Sequence, residues 1–179
     1  MQLHVTIDLP TDAHGAARLL ADPAYVHAKV RTSGAVDQQV DVTGTADDAF
    51  TVTTRRALPT EQIPAHLRGF VGDRIDVRQV EAWEAPAADG SRSGTVVVEI
   101  AGAPVRVTGR TTLAGQGPGR TRVTYDGEVR AAVPLFAAAV EEAAGAAVRA
   151  ALAAEEDVAT RWLVDGPPPA QDEPDISTG

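Results

Sequence analysis

The order of the predicted elements indicates an α+β fold in which a curved antiparallel sheet closes over one C-terminal helix. One strand begins the chain, two short helical stretches follow, and six alternating stretches come next. An alanine-rich stretch with helical periodicity, from about Pro134 to Leu163, completes the pattern. At 179 residues the chain suits one sizeable core rather than two domains. We therefore predict one domain over residues 1–163 and a disordered, proline-rich acidic tail over 164–179.

The first strand and the two short helices follow from local patterns. Apolar residues occupy every second position from Leu3 to Leu9, which is typical of a half-buried strand. Thr11 or Asp12 can cap the first helix, since both side chains accept hydrogen bonds from backbone amides. The Asp22-Pro23 pair ends that helix and allows a second from Ala24 to about Val30.

Six further strands are predicted from alternation and from the turns between them. Asp89-Gly90 marks one hairpin turn, and the glycine-rich stretch from Gly115 to Gly119 marks another. The segment from Pro59 to Asp73 alternates poorly and contains two prolines, so we predict an irregular crossover or a short helical turn there. The six strands cover residues 36–43, 49–58, 75–84, 95–101, 105–113 and 121–133.

Composition argues against several classes of function. The net charge is -9, and an acidic chain repels phosphate backbones, so no nucleic-acid partner is expected. Cysteine is absent, and no histidine pair has the spacing of a helical zinc site, so we predict neither a metal site, a cofactor nor a catalytic residue. Charges at Glu141, Glu142 and Arg149 interrupt the most apolar stretch and argue against a membrane span. We expect a cytoplasmic protein, monomeric or homodimeric.

The C-terminal helix carries an apolar stripe whose middle is built of alanine. Small side chains there allow two arrangements, and the sequence leaves both open. The helix either packs closely on the sheet around a filled core, or larger residues at the ends of the stripe hold it away and leave a hollow for a ligand. The stripe comprises Val140, Ala144, Ala147, Val148, Ala151, Val158 and Trp162.

Several polar and aromatic residues could belong either to the packed core or to the lining of a ligand site. Helical spacing points Glu155 into the stripe, where its carboxylate is either solvated or paired with an arginine, or anchors a ligand. Gln79 and Glu81 share one strand face with Trp83 and matter only if that face is inward. Arg55 and Arg56 are expected to be solvated strand positions. The aromatic candidates, each belonging to the core or to a ligand wall, are Phe70, Trp83 and Tyr125.

Short motifs in a fixed order resemble the START-like, or polyketide-cyclase-like, superfamily (SRPBCC). More narrowly, they resemble a family of unknown function found mainly in high-GC Gram-positive bacteria. The similarity runs from about Met1 to Leu163. The motifs are Leu58-Pro59, Ile63-Pro64, Phe70-Val71-Gly72-Asp73, Glu81-Ala82-Trp83, Asp89-Gly90, Gly102-Ala103-Pro104-Val105 and Val133-Pro134-Leu135.

The resemblance implies a helix-grip fold, with a curved seven-stranded antiparallel sheet around a long C-terminal helix and two short helices after the first strand. We expect a non-enzymatic protein that binds a hydrophobic or amphipathic small molecule, such as a lipid or polyketide, in a cavity between sheet and helix. The alternative is a cyclase- or aromatase-like enzyme using a buried carboxylate as acid or base. The cavity candidates are Phe70, Trp83, Tyr125, Val140, Ala144, Ala147, Ala151 and Glu155.

Overall fold

Seven strands and three helices make up the part of the chain that the structure, a computed structural model, describes: residues 1–59, 74–101, 104–133 and 135–167. The strands are β1 Gln2–Leu9, β2 Asp37–Gly44, β3 Phe50–Pro59, β4 Arg74–Trp83, β5 Arg92–Ala101, β6 Val105–Gly115 and β7 Thr121–Ala131. The helices are α1 Ala13–Leu20, α2 Pro23–Thr32 and α3 Ala137–Asp165. No helix of these described ranges is long and apolar enough to cross a membrane.

All seven strands belong to one antiparallel sheet with the order β1-β7-β6-β5-β4-β3-β2. Strands β2 to β7 each neighbour the next in sequence, whereas β1 pairs with β7 and places Val5 opposite Tyr125. Helix α3 packs against β1, β7 and α2. We call the side of the sheet that faces the helices the inner face. This arrangement confirms the predicted fold class.

The two short helices begin where capping side chains are available. The carboxylate of Asp12 accepts a hydrogen bond from the amide of Gly15 at 2.7 Å, so Asp12 rather than Thr11 caps α1. Asp22 accepts from the amide of Ala24 at 2.9 Å and caps α2. The predicted break between the helices is therefore confirmed.

Helix α3 begins later than the sequence predicts. Leu135 has a φ angle of 67°, which lies in the left-handed region and cannot continue a right-handed helix. The helix accordingly starts at Ala137 and runs to Asp165, two residues beyond the expected end at Leu163. The prediction that the helix starts near Pro134 is wrong for this reason.

Strand boundaries differ from the predicted ones mostly by one or two residues. Strand β5 begins at Arg92 rather than Thr95, because Arg92 continues the ladder opposite Leu113 of β6. The predicted crossover before β4 and the predicted acidic tail lie mostly outside the described residues, and Phe70 lies outside them entirely.

The core lies between the inner face and the helices. Its main cluster joins residues of β1, α1, α2, β6 and β7, among them Ile7, Leu20, Tyr25, Leu113 and Val123. A smaller cluster of Val105, Val107 and Val129 lies under the first half of α3. The two clusters meet at partly buried Val98 and Val148, so the interior continues along the length of α3.

Candidate functional site

Strand β4 carries polar side chains on the inner face of the sheet. Val77, Glu81 and Trp83 are buried at alternate positions, and Gln79 between them is half-buried. Alternation along a strand places all four on one side. The sequence left open whether Gln79 and Glu81 face inwards or outwards, and the structure shows that they face inwards.

Three buried charged groups meet above this face and form what we call the ionic cluster: Lys29, Glu81 and Glu155. The ammonium of Lys29, from α2, lies 2.9 Å from a carboxylate oxygen of Glu155 on α3. It also lies 3.6 Å from a carboxylate oxygen of Glu81 on β4. The three side chains are 9%, 3% and 7% exposed in chain order. Glu155 is therefore paired, but with the only lysine of the chain rather than with an arginine.

Lys29 attracts both carboxylates of the ionic cluster, whereas the two carboxylates repel each other. Burial acts to lower the pKa of Lys29, but the nearby charges of Glu155 and Glu81 outweigh it and raise that pKa. Burial raises the pKa of Glu155, an effect that the charge of Lys29 partly offsets and the charge of Glu81 reinforces. Lys29 is consequently a cation at neutral pH and is shared by two buried carboxylates.

A chain of hydrogen bonds leads from the ionic cluster towards the solvent. The amide nitrogen of Gln79 donates to Glu81 at 2.6 Å, and its oxygen accepts from both terminal nitrogens of Arg56 at 3.3 and 3.4 Å. Arg56 lies on β3 and is half-buried rather than solvated, which corrects the expectation for this residue. The described residues thus link a fully buried ion pair to a half-exposed guanidinium.

Further buried polar atoms on the inner face have no hydrogen-bond partner among the described residues. Such groups carry a desolvation cost of about 1–3 kcal/mol each, so their concentration on one face is unusual for a structural core. Burial, with the charges of Glu81 and Glu155, raises the pKa of the Tyr25 and Tyr125 hydroxyls far above the ordinary value and keeps both hydroxyls protonated. The hydroxyls of Tyr25 and Tyr125 are directed at Glu155 and Glu81. The atoms without a partner on the inner face are the hydroxyls of Thr54 and Thr111, Nε1 of Trp83, Nε of Arg56 and Oε1 of Gln38.

Aromatic rings close the two sides of the cluster. Trp83 stacks on Phe50 with ring centroids 6.2 Å apart, and Tyr25 meets Trp162 of α3 edge to face at 5.7 Å. Trp83 and Tyr125, two of the residues predicted to line a site, are both buried in the main core cluster beside the polar groups. Their polar atoms, rather than their rings alone, therefore face the interior.

Half-exposed apolar side chains adjoin the polar chain and form what we call the apolar surface. Val98 and Ile100 belong to β5 and lie opposite Gln79 and Val77 of β4, next to the Arg56 end. Three half-exposed residues of α3 pack against the smaller core cluster of Val105, Val107 and Val129, as Val98 and Ile100 do. They are Val140, Ala144 and Val148.

Two of the predicted site residues on α3 lie on the side of the helix that faces solvent, away from the sheet. Ala147 and Ala151 are exposed, whereas the buried side of the helix carries Leu152, Glu155 and Ala159. The predicted stripe is wrong at both alanines, because the helix is rotated so that Glu155 reaches Lys29. This rotation places Leu152, which the stripe omitted, in the core.

A depression of approximately 440 Å³ lies at the end of the sheet formed by β2 to β5. Most of its lining residues, among them Arg55, Arg78 and Glu99, belong to the outer face. The inner face contributes Gln38, Arg56, Val77 and Ile100. A second depression of approximately 570 Å³ lies over β1, β6 and β7 and touches neither Trp83, Tyr125 nor Glu155. No group of three or more His, Asp or Glu side chains within the described residues is arranged to hold a metal ion.

Comparison with known proteins agrees with this fold. The family profile described as "Protein of unknown function (DUF2505)" matches residues 4–163. The chain belongs to the DUF2505 family. No curated protein matches it significantly.

Solved structures with a similar fold cover nearly the whole DUF2505 domain. A START superfamily protein from Mycobacterium smegmatis is 13% identical, with a TM-score of 0.53 over 87% of this chain and 94% of that one. The Zhui aromatase/cyclase from Streptomyces sp. R1128 is 15% identical, with a TM-score of 0.54 over 91% and 95%. Norcoclaurine synthase from Thalictrum flavum is 13% identical, with a TM-score of 0.57 over 92% and 94%. The DUF2505 chain therefore has the START-like helix-grip fold.

Sequence reasoning on this DUF2505 chain missed Lys29, Tyr25 and Arg56 as members of the candidate site. One signal was available for Lys29, since it is the single lysine among sixteen basic residues. Nothing local distinguished Arg56 from Arg55 beyond the alternation of the strand, which places neighbouring residues on opposite faces.

Proposed function

We propose that the protein binds an amphipathic small molecule between the inner face of the sheet and α3. The apolar body of the ligand lies on the apolar surface, and its polar end points towards Gln79 and the ionic cluster. One observation carries this proposal: half-exposed apolar side chains directly adjoin a chain of buried polar groups. Ligand sites typically combine an apolar lining with a few convergent polar groups of this kind.

The energetics of the ionic cluster support a role other than stability. Buried ion pairs stabilise a fold weakly, because removing charges from water costs about as much as their attraction returns. Apolar residues of similar volume usually serve a core equally well. Perturbed, buried ionisable groups are instead concentrated at functional sites. Lys29 and Glu155, whose pKa values are both raised, fit that pattern.

Binding fits the geometry better than acid–base catalysis by Glu155. A general acid or base must reach its substrate with a free proton or a free lone pair. One oxygen of Glu155 is bonded to Lys29 at 2.9 Å, and the side chain is only 7% exposed. The carboxylate is therefore engaged within the protein, and we assign it to positioning Lys29.

Binding of the neutral fluorescent probe N-phenyl-1-naphthylamine tests the proposal. Ala144→Phe fills the apolar surface and should weaken binding at least about tenfold, because a phenyl ring displaces the probe. Ala147→Phe places the same ring on the exposed side of α3 and should leave binding unchanged. Circular dichroism confirms that both variants fold.

Two results would contradict the proposal. One is a wild-type protein that binds no probe and from which native mass spectrometry and solvent extraction recover no small molecule. The other is an equal loss of binding in Ala144→Phe and Ala147→Phe, which would place the probe away from the apolar surface.

A further inference from the structure

Arg56 is a half-buried cation whose hydrogen-bond partner among the described residues is a neutral amide. Its two terminal nitrogens share one oxygen of Gln79 at 3.3 and 3.4 Å, which are long distances for hydrogen bonds. Its Nε is buried and has no partner in the described ranges. A guanidinium carries five donors in a planar fork, so the described residues leave most of its donor capacity unused.

Other buried basic side chains of the described chain are better satisfied. Arg92 donates to the backbone oxygens of Ala46, Asp48 and Glu84 at 2.6, 3.2 and 3.4 Å. Lys29 lies between two carboxylates. Arg56 contacts no carboxylate among the described residues, and Glu155 and Glu81 attract its charge only from beyond contact distance. The donors that the described residues leave unused can therefore bind an anionic group directly.

We propose that Arg56 binds the carboxylate of an apolar carboxylic acid, and this inference rests on the proposed function. The planar fork of arginine matches a carboxylate with two parallel hydrogen bonds. Those bonds replace the two long contacts to Gln79. The hydrocarbon part of the acid then extends over Val98 and Ile100 of the apolar surface.

Arg56 lies at the end of the sheet, where a ligand can reach it from solvent. It is half-exposed there and borders the depression of approximately 440 Å³. The other charged residues of that lining, such as Arg55, Arg78 and Glu99, belong to the opposite face of the sheet because side chains alternate along each strand. Among the described residues, Arg56 is therefore the one cation of this lining that belongs to the inner face.

The neighbouring glutamates favour a carboxylate over a phosphate. Glu81 and Glu155 act on the charge of Arg56 from within the interior. Their negative charges repel a dianion about twice as strongly as a monoanion at the same distance. A single negative charge with planar geometry therefore suits Arg56 best.

The test compares ligands of one chain length that differ only in the head group. Dodecanoate, 1-dodecanol and dodecyl phosphate each compete with N-phenyl-1-naphthylamine for the wild-type protein. We expect dodecanoate to bind about 10- to 100-fold more tightly than 1-dodecanol, the range of one charge-assisted bidentate contact, and more tightly than dodecyl phosphate.

Variants of Arg56 and of an exposed arginine outside the depression locate the effect. Arg56→Gln should remove the preference for dodecanoate and leave 1-dodecanol within about twofold, because only the charged contact is lost. Arg56→Lys keeps the charge without the fork and should retain part of the preference. Arg18→Gln changes an exposed arginine of α1 that does not line the depression and should have no effect. Thermal unfolding shows whether each variant is folded.

The outcomes separate this inference from the proposed function. Equal binding of dodecanoate and 1-dodecanol to wild type overturns the role of Arg56 while binding itself stands. The role of Arg56 is also overturned if Arg56→Gln lowers the affinity for dodecanoate and for 1-dodecanol equally. It is overturned as well if the wild-type protein binds dodecyl phosphate more tightly than dodecanoate. If no probe or competitor binds the wild-type protein, the proposed function fails together with the inference.

Discussion

Replacing Lys29 by methionine removes the cation that two buried carboxylates share. At an effective dielectric constant of about 20, the contacts at 2.9 Å to Glu155 and 3.6 Å to Glu81 correspond to attractions of roughly 6 and 5 kcal/mol. Most of this is cancelled in the wild type by the cost of burying the charges. The variant keeps that cost for the carboxylates and loses the attraction. We therefore expect a loss of about 3–5 kcal/mol in the free energy of unfolding at pH 7.

Urea denaturation followed by circular dichroism measures this loss. Arg31→Met changes an exposed basic residue of the same helix and should alter stability by less than about 0.5 kcal/mol. In a background with Glu81→Gln and Glu155→Gln, Lys29→Met should cost far less, because no buried anion remains to be stranded. The deficit should also shrink from pH 7 to pH 5, since the native variant takes up a proton that relieves the unpaired charge.

Two results would refute this reasoning. A loss under about 1 kcal/mol at pH 7 would show that the carboxylates do not depend on Lys29. An unchanged cost of Lys29→Met in the double-glutamine background would show that the methionine disturbs packing rather than charge. Either outcome would remove the ionic cluster as an energetic unit.

Three further predictions concern the core and the sheet. Leu152→Ala should cost about 2–5 kcal/mol in urea denaturation, whereas Ala151→Gln on the exposed side should change stability by less than about 0.5 kcal/mol. Gly94→Ala should cost about 1–3 kcal/mol, because its Cβ would lie 2.5 Å from a backbone oxygen of β4, while Gly115→Ala meets nothing within 4 Å and should be tolerated. Burial raises the pKa of Tyr125 well above 10.0, so only the unfolded chain releases that proton. Stability should therefore fall as the pH rises above 10.0, and Tyr125→Phe should make this fall shallower in urea titrations between about pH 9 and 11.

The fold was predictable because its signals are local. Alternation from Leu3 to Leu9 and turn residues such as Asp89-Gly90 are read within ten residues, and the structure confirms both elements. Helix ends were less certain. The left-handed backbone of Leu135, which delays the start of α3, has no counterpart in hydrophobic periodicity because it depends on how the chain leaves β7.

The site was only partly predictable because it is assembled over long distances. Glu155 stood out as a charge on an apolar stripe, but its partner Lys29 lies 126 residues away and on another helix. Spacing alone leaves a helix free to rotate by a fraction of a turn. The contact with Lys29 fixes that rotation, and it exchanges Ala151 for Leu152 on the buried side. Such a choice is made by tertiary contacts that no single stretch encodes.

The pairing of β1 with β7 has a consequence for biosynthesis. Val5 has its neighbour Tyr125 only after almost the entire sheet has left the ribosome, whereas β2 to β7 can associate as successive hairpins. The nascent chain therefore carries β1 without its partner strand until β7 has been synthesised. We expect the pairing of β1 with β7 to be among the last steps of folding, because it joins the strands that are most distant in sequence.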